Sequence, residues 1–300
     1  MIKDVKMNLF CCPNISGKSI LCSAVFLFVD LFACTTFAEL VELRTAKASC
    51  LVDIDGSRVV SFRVGEDELL WNDSPPQVKA SDWAHGGIPI CWPNFGVDSY
   101  GVIHGVAWRK RFKILMRRES RACSTLVLEL KEGDARVKSV VTLTDTLTLE
   151  MITENHGTNE YRCSYGYHPY FQVGERNGCS ISGIDGFLFD DDPSVVDCKS
   201  GVWHGDVVMT NDLDRIFVLP KMTQRVFTLR DTMCSRLIEI SCEGASHLNV
   251  WNPGAAKNCP GIVPGDEWRR FVCVEPIALA FEVPPGGKKT LKMIVEVKEI

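Results

Sequence analysis

The chain has 300 residues, a formal net charge of −5 and a 46% share of hydrophobic residues. This length allows one large all-β domain or two smaller domains, and the hydrophobic share predicts a packed globule rather than a disordered chain. No long run of Lys or Arg occurs. Because clustered positive charge is needed to neutralise nucleic-acid phosphates, a nucleic-acid partner is not expected.

The first forty residues differ from the rest of the chain. Lysines come first, then an apolar run and then small residues: Lys3, Lys6, Lys18, 20–29 and 31–38. This order is typical of a signal peptide, and the apolar run is too short to span a bilayer. Cleavage is expected after Ala38. The segment 31–34 also resembles a bacterial lipoprotein site, which would make Cys34 a lipid anchor.

The sequence therefore predicts an exported protein, periplasmic or lipid-anchored, with a leader at 1–40 and one domain at 41–300. An uncleaved anchor or a misassigned start codon is the alternative, and without a leader the protein would be cytoplasmic. Of the fourteen cysteines, four lie in the leader and the others are spread singly from Cys50 to Cys273. Export would allow some to pair, but Cys91 and Cys273 lie in apolar motifs that suit free thiols. The six histidines lack ligand spacing, so no metal site is predicted.

From Ser49 onward, short segments alternate between apolar and polar residues. Asp55–Gly56 predicts a hairpin turn, and Leu147, Leu149 and Met151 would share one buried face. Strands are predicted at 49–54, 58–64, 112–116, 124–130, 137–143, 146–152, 236–242, 247–251 and 290–297. Many short strands without an amphipathic helix predict one all-β sandwich domain.

Two long loops interrupt the strands. The first, 72–105, contains aromatic rings, histidines and glycines: Trp83, His85, Gly86, Gly87, Trp92, Phe95 and His104. Rings stack on sugar faces, and glycines let the backbone approach a ligand. The second loop, 252–270, leads into the strand that contains Glu275, so it is expected to border the same cleft. Ordinary turn formation is the alternative for both loops.

His168 lies at the end of an aromatic strand. Tyr161–Tyr167 favours an extended backbone, and Pro169 holds His168 out of helical geometry. Four aromatic residues are expected around the imidazole: Tyr165, Tyr167, Tyr170 and Phe171. Such surroundings would desolvate the ring and lower its pKa, which makes His168 a candidate acid or base. A packed histidine with a satisfied nitrogen is the alternative.

The stretch Phe271–Leu279 is an apolar strand that contains one carboxylate, Glu275, and Pro276 is expected to mark the strand end. An unpaired buried carboxylate is costly, so Glu275 would pair, line a cavity or bind a proton. A raised pKa would make it a candidate general base. The alternative is a buried ion pair with Arg269 or Arg270.

Together these stretches resemble the aldose 1-epimerases, or mutarotases, and most of all the branch that acts on hexose 6-phosphates. The shared motifs occur in the order Gly86–Gly96, His104–Gly105, His168–Phe171, Asp214–Arg215 and Val272–Glu275. Their order and combined spacing carry the resemblance, which extends over everything after the leader. It implies the large twisted antiparallel β-sandwich of the galactose mutarotase fold.

The resemblance also implies the chemistry. Mutarotation opens the hemiacetal ring of a sugar and closes it on the other face, which requires a base and an acid but no cofactor. By resemblance, Glu275 is the base and His168 the acid, on opposite sides of the ring. His104 would bind near the ring oxygen or a hydroxyl. Asp214 would accept sugar hydroxyls, with a salt bridge to Arg215 as the alternative.

The expected partner is a small sugar or sugar phosphate, and the expected state is a monomer. Two other classes compete with an epimerase. A carbohydrate-binding protein on the same fold would have lost or blocked His168 or Glu275, and both are present. A glycoside hydrolase would need two carboxylates across the scissile bond, whereas this sequence offers one carboxylate beside one histidine.

Two substrate-binding positions depart from the phosphate-using branch, which carries an arginine at each. Here they are His85 and Trp108. Arginine suits phosphate because its fork donates two parallel hydrogen bonds. Arg109 follows and, on a strand, would point to the opposite face unless a bulge turned it; Lys110 and Arg111 are the other replacements. Together with the leader, this departure favours an unphosphorylated aldose or a sugar at an oligosaccharide end.

We expect the mature protein from its native source to lack the residues up to Cys34 or Ala38, because the basic, apolar and small segments follow the order of a cleaved leader. Intact-mass spectrometry measures this directly. A lipid adduct on Cys34 would select the lipoprotein route, and a cytosolic species that begins at Met1 would contradict the prediction.

Overall fold

Antiparallel β-strands make up nearly all of the regular secondary structure in the described part of the computed structural model. The structure describes residues 39–72, 85–97, 101–191, 199–210, 212–221, 225–255, 263 and 265–299. The expected leader, with Cys34 and Ala38, lies outside these residues and stays a prediction. Trp83 of the first long loop and residues 256–262 of the second also lie outside them.

The strands in chain order are β1 (Leu40–Arg44), β2 (Ala48–Asp53), β3 (Arg58–Val64), β4 (Asp67–Glu68), β5 (Ile90–Cys91), β6 (Lys113–Arg118), β7 (Ser124–Glu132), β8 (Ala135–Leu143), β9 (Leu147–Asn155), β10 (Tyr161–Tyr167), β11 (Tyr170–Gln172), β12 (Cys179–Ser182), β13 (Leu188–Asp191), β14 (Ser200–Val202), β15 (Val207–Val208), β16 (Leu213–Val218), β17 (Arg225–Asp231), β18 (Arg236–Glu243), β19 (His247–Asn252), β20 (Phe271–Val283) and β21 (Lys288–Glu299). Short 3-10 helices occupy Ala107–Arg109, Arg176–Gly178 and Glu267–Arg270. Within the described ranges, no helix is long and apolar enough to cross a membrane.

The described residues form three antiparallel sheets. A nine-stranded sheet has the order β15-β12-β17-β18-β21-β9-β8-β7-β6, and an eight-stranded sheet has the order β14-β13-β16-β19-β20-β10-β5, with β11 also paired to β20. These two sheets meet where β9 and β21 contact β20 and β10. A small sheet of β1 to β4 adjoins β7 and β8. The arrangement confirms the predicted all-β antiparallel sandwich.

The burial pattern follows the alternation read from the sequence. In β9, Leu147, Leu149 and Met151 are buried, and the residues between them are half-buried. Fully burying one such side chain contributes roughly 1.5–3 kcal/mol, so a register slip that turned these residues to solvent would be strongly opposed. The predicted turn at Asp55–Gly56 joins β2 and β3, which pair as an antiparallel hairpin.

The predicted strand end at Pro276 is wrong, because β20 continues to Val283. Pro276 pairs with Leu248 of β19 on one side. On the other side, β10 has ended at Tyr167 and β11 has not yet begun. A proline removes one ladder donor, and here it lies beside an interrupted neighbour. The interruption leaves His168 and Pro169 between the two strands.

The loop before β6 is held against the body by close backbone contacts. Val106 N and Ala107 N both donate to Trp92 O, at 2.9 and 3.0 Å. Gly105, between this pair and His104, has a φ of 71°. A Cβ atom there would lie 2.3 Å from Trp92 O. Glycine is therefore required both by the backbone conformation and by the close approach.

We expect Gly105→Ala to lower the free energy of unfolding by about 2–4 kcal/mol, measured by urea denaturation, because it adds a steric clash to the cost of positive φ. Gly101→Ala is the matched control. Gly101 has a φ of 78° but nothing within 4 Å of an added Cβ, so we expect a loss of only about 1 kcal/mol. Equal losses in the two variants would show that the contact with Trp92 is unimportant.

Candidate active site

The interruption between β10 and β11 brings a histidine beside a carboxyl group. Both strands pair with β20 in one continuous register on the two sides of the gap. This register places His168 opposite Glu275, and β19 places Asn249 on the other side of Glu275. His168 Nε2 lies 3.6 Å from Glu275 Oε1. Asn249 Nδ2 donates to the same oxygen at 3.4 Å.

A second row of side chains runs beside the first. Asp214 of β16, Trp251 of β19, Cys273 of β20 and Tyr170 of β11 are successive cross-strand partners. Tyr170, Cys273 and Trp251 each lie two residues from a member of the first row, and Asp214 pairs with Trp251. Because strand side chains alternate between faces, both rows lie on one face of the eight-stranded sheet. The structure thus brings together His168, Glu275 and Asp214, which the sequence predicted as site residues.

The two faces of β20 have different surroundings. Val272 and Val274 belong to the main core between the large sheets. The opposite face carries a separate small cluster of Trp71, Tyr170, Phe271 and Cys273. Glu275 is two residues after Cys273, so its side chain lies on this same face. The polar site is therefore built on a rigid strand whose other side is anchored in the core.

The rings around His168 are only partly those predicted. Its imidazole stacks on Tyr170, with centroids 4.7 Å apart and planes 11° apart. It meets His104 and Trp251 edge to face, at 5.4 and 5.5 Å. The other expected neighbours belong to the main core: Tyr165, Tyr167 and Phe171. For the two tyrosines of β10 the reason is the alternation of strand side chains between faces.

Glu275 has no exposed surface, and its Oε2 atom has no hydrogen-bond partner in the described part of the chain. Burial, and next the charge of Asp214, raise the pKa of Glu275 well above its usual value. The direction predicted from the sequence is therefore confirmed. The alternative ion pair with Arg269 or Arg270 is wrong, because the ionisable partner that Glu275 contacts is His168.

The histidines of the site are held neutral. Burial lowers the pKa of His168 well below 6.5, and His104 and His85 lower it further. Burial therefore favours the neutral forms of both His168 and Glu275 over a permanent ion pair between them. A carboxylic acid beside a neutral imidazole holds the same single proton as a carboxylate beside an imidazolium. The pair can thus redistribute a proton without exchange with water, and it titrates as one unit.

His104 faces this pair from the loop before β6. Gly96 N donates to His104 Nδ1 at 3.2 Å, which assigns the proton of the neutral ring to Nε2. Burial and the nearby His85 lower the pKa of His104 to about 4. The backbone φ of His104 is 54°, a sparsely populated conformation for a residue with a side chain. Such strain concentrates at functional sites.

His85 also joins the site, through Tyr170. Its Nδ1 atom lies 3.2 Å from the Tyr170 hydroxyl, and the two rings meet edge to face at 6.2 Å. Since Tyr170 stacks on His168, the three rings form a continuous series from the acid–base pair to the loop.

Asp214 does not use its sequence neighbour as a partner. Arg215 instead donates from Nη2 to Asp191 Oδ2 at 2.8 Å. Adjacent residues of β16 point to opposite faces of the sheet, so the alternative salt bridge between Asp214 and Arg215 is wrong. Half-buried Asp214 remains on the face that carries Glu275.

Trp108 and Arg109 lie in a 3-10 helix rather than a strand, so the expectation that they point to opposite faces is wrong. The Arg109 guanidinium lies 4.8 Å above the Trp108 ring, and Arg109 is exposed. The other two candidate replacements are engaged in surface ion pairs, Lys110 with Glu132 and Arg111 with Glu39. None of these cations contacts Glu275 or His168 in the described residues.

Sequence reasoning missed Asn249 and Trp251. They alternate with the apolar Leu248 and Val250 along β19, and this period of two was the available signal. It also missed Arg58, a buried arginine of β3, for which the sequence gives no signal. A surface cavity of about 530 Å³ lies elsewhere, lined by residues such as Arg162, Ser164 and Glu282.

Three ligand-type side chains lie close together at the site. Atoms of His168, Cys273 and Glu275 are all within 4.8 Å of one another, and Zn²⁺ takes imidazole, thiolate and carboxylate ligands. Burial raises the pKa of both Cys273 and Glu275, which favours protonated forms that do not bind metal. The eight described cysteines are free thiols. The prediction that the protein has no resident metal stays a prediction.

The fold and site define a β-sandwich protein with a buried acid–base pair on one sheet face. Comparison with known proteins supplies the family, because the family model described as aldose 1-epimerase matches residues 39–296. The chain belongs to the aldose 1-epimerase family.

Related proteins and structures agree with this assignment. Two relatives named "Putative glucose-6-phosphate 1-epimerase" are each 29% identical. The Salmonella typhimurium protein aligns over 75% of this chain and 78% of its own length, and the Escherichia coli protein over 74% and 77%. A crystal structure titled as a putative mutarotase from Salmonella typhimurium has a TM-score of 0.78 at 24% identity, covering 88% of this chain and 91% of that one. A galactose mutarotase-like protein from Clostridium acetobutylicum has a TM-score of 0.71 at 13% identity, covering 89% and 97%. These two structures share the fold.

We expect Glu275→Gln to become progressively more stable than the wild type as the pH rises above about 5. In the unfolded chain the carboxyl ionises near its usual pKa of 4.5, whereas burial raises the pKa in the folded state. Between these pKa values the folded state binds more protons, so the unfolding free energy falls with rising pH, at most by about 1.4 kcal/mol per pH unit. Glutamine does not titrate and removes this slope.

Urea denaturation at a series of pH values measures the difference. Glu282→Gln is the control, because Glu282 lies on the same strand but is exposed. Parallel pH–stability curves for the wild type and Glu275→Gln would contradict a raised carboxyl pKa.

Proposed function

We propose that the protein interconverts the α and β anomers of a hexose or hexose 6-phosphate by acid–base ring opening. The observation that carries this proposal is the buried 3.6 Å contact between His168 Nε2 and Glu275 Oε1. Membership of the aldose 1-epimerase family supports the reaction class. The names of the Salmonella typhimurium and Escherichia coli relatives support a hexose as the substrate.

In the ring-opening step, the Glu275 carboxylate takes the proton of the anomeric hydroxyl. The bond between C1 and the ring oxygen breaks, and His168, as imidazolium, delivers a proton to that oxygen. The products are an open-chain aldehyde, a protonated Glu275 and a neutral His168. After rotation about the C1–C2 bond the transfers run in reverse, and the ring closes on the other face. Protons and charges balance over the cycle.

His168 and Glu275 lie side by side, whereas the resemblance implied a placement on opposite sides of the ring. The anomeric hydroxyl and the ring oxygen are bonded to the same carbon, so two neighbouring groups can serve both. The neutral form of the pair, which burial favours, is the form that closes the ring. The ionic form, with the same proton count, opens it.

The remaining site residues would hold the sugar around this pair. His104, whose tautomer places the ring proton on Nε2, would donate to the ring oxygen or a hydroxyl. Asp214, on the same face as Glu275, would accept hydroxyl protons. Trp251 offers an apolar ring beside His168, and such rings pack against the C–H face of sugars. These contacts would hold C1 within reach of the pair while it rotates.

We expect Glu275→Gln and His168→Asn each to lower the rate of anomer exchange by at least about a hundredfold, because each removes one proton-transfer group. Exchange NMR and polarimetry with freshly dissolved α-glucose, galactose and their 6-phosphates measure the rate. Sugar affinity should change much less than the rate.

The matched controls are Glu282→Gln and His156→Asn, which make the same chemical changes at exposed positions. A near-normal rate in either folded site variant would remove that residue from the mechanism. Sugar binding by the wild type without any anomer exchange would instead identify a carbohydrate-binding protein on the same fold.

A further inference from the structure

Arg58 is a buried cation beside the candidate site, and it takes no part in the proposed proton transfers. It is 4% exposed, and its Nη1 atom has no hydrogen-bond partner among the described residues. No ion pair to it forms in that part of the chain. A buried charge without hydrogen bonds carries a desolvation cost that no partner offsets. Binding an anion that accepts hydrogen bonds from the guanidinium would offset this cost.

The backbone places Arg58 at the edge of the site. Ile88 N donates to Val59 O of β3 at 2.8 Å, and Tyr170 N donates to Gly87 O at 2.8 Å. The segment 87–88 therefore lies directly between β3 and the start of β11. Arg58, the first residue of β3, stands one strand spacing from the segment that precedes Tyr170.

The electrostatics agree with this placement. Burial and then the charge of Arg58 lower the pKa of His85 to about 4. Arg58 is also close enough to interact with the Tyr170 phenol. The Tyr170 hydroxyl contacts His85, and the Tyr170 ring stacks on His168. A guanidinium, a phenol and an imidazole thus lie together next to the proposed acid.

The acidic group nearest to Arg58 is Asp53, its cross-strand partner on β2. Asp53 Oδ1 accepts the N–H of Asp55 at 2.9 Å, and Asp53 forms no ion pair with Arg58 in the described residues. Burial raises the pKa of Asp53 to about 6, so its negative charge weakens below that pH. Asp53 offsets the charge of Arg58 from a distance but leaves the guanidinium donors unused.

The structure of a hexopyranose indicates which substituent would lie near the Arg58 guanidinium. In a hexopyranose the ring oxygen is bonded to C5, and C5 carries C6. A group attached to C6 therefore leaves the ring next to the oxygen that His168 serves. The side chains that continue outward from His168 are Tyr170, His85 and Arg58. An anionic substituent on C6 would enter this group of donors, whereas a plain hydroxyl would leave the buried cation unsatisfied.

We propose that Arg58, together with the Tyr170 hydroxyl and His85, binds an anionic group on C6 of the sugar, so that the substrate is an aldose with a phosphate ester or a carboxylate at C6. This inference rests on the proposed epimerase function and narrows its substrate class. It reverses the expectation of an unphosphorylated aldose drawn from His85 and Trp108. The cation that binds the anion comes from β3 instead of from those two loop positions.

The test compares kcat/KM for anomer exchange of glucose, glucose 6-phosphate and glucuronate in the full-length protein. We expect the wild type to prefer at least one anionic sugar over glucose by tenfold or more. Arg58→Gln should reduce kcat/KM for that sugar at least about tenfold more than for glucose, and Arg58→Lys should keep part of the preference because it retains the charge without the fork. The two anionic sugars distinguish a phosphate from a carboxylate.

Arg63→Gln is the control, since Arg63 lies on the same strand with a side chain that is 49% exposed. It should leave the preference unchanged. If Arg58→Gln does not fold, the double variant Asp53→Asn/Arg58→Gln removes both charges and provides the same comparison. Equal losses for glucose and the anionic sugars, or a wild type that prefers glucose, would overturn the proposal and leave Arg58 with a structural role.

A binding measurement separates this proposal from the proposed function. Glucose 6-phosphate or glucuronate should raise the Tm of the wild type more than glucose does, and Arg58→Gln should abolish the difference. A shift that depends on Arg58 in a protein without anomer exchange would uphold the anion site and refute the epimerase function. Anomer exchange without any preference for anionic sugars and without this shift in Tm would uphold the epimerase function and refute the anion site.

Discussion

The burial of the Glu275 carboxyl group is the constraint on which the rest of the site depends. It lies on a central strand with no exposed surface, and burial raises its pKa. The same surroundings, with burial first and the Glu275 carboxyl second, raise the pKa of the Cys91 and Cys273 thiols. Burial also holds the histidines neutral, so a single proton is left to be shared within the pair of Glu275 and His168. A proton that can lie on either partner is what a reversible ring opening needs.

The sandwich provides the rigidity that this pair requires. β20 is buried in the main core through Val272 and Val274, which locks the opposite face on which Glu275 lies. The interruption between β10 and β11 then opens one place in an otherwise continuous sheet, and His168 occupies it. A general acid must be held within a fraction of an ångström of its target, and cross-strand pairing achieves this without a dedicated loop.

The loop residues add the adaptable part of the site. His104 is held in an unfavourable backbone conformation by Gly96, which hydrogen-bonds both its backbone and its ring. His85 is linked to the centre by its contact with the Tyr170 hydroxyl. Arg58 places a positive charge at the edge of the site near Tyr170, and Asp214 places a negative charge on β16. A sugar bound between them would meet a cationic end and a hydroxyl-accepting end, which orients it before any proton moves.

The sequence by itself determined the class of fold and the pair of catalytic candidates. Alternation along β9 and the turn at Asp55–Gly56 are local patterns. The order of the short motifs around His168 and Glu275 can be recognised without knowing which strands pair. Only the tertiary structure decided that β20 runs through Pro276, that Trp108 lies in a helical turn, and that Asn249 and Trp251 complete the site. It also decided that Arg58 is buried beside Tyr170. The physical reason is that strand pairing brings together residues about a hundred positions apart in the chain, and burial depends on which other strands pack against a given strand. The periodicity of a single segment carries no information on either.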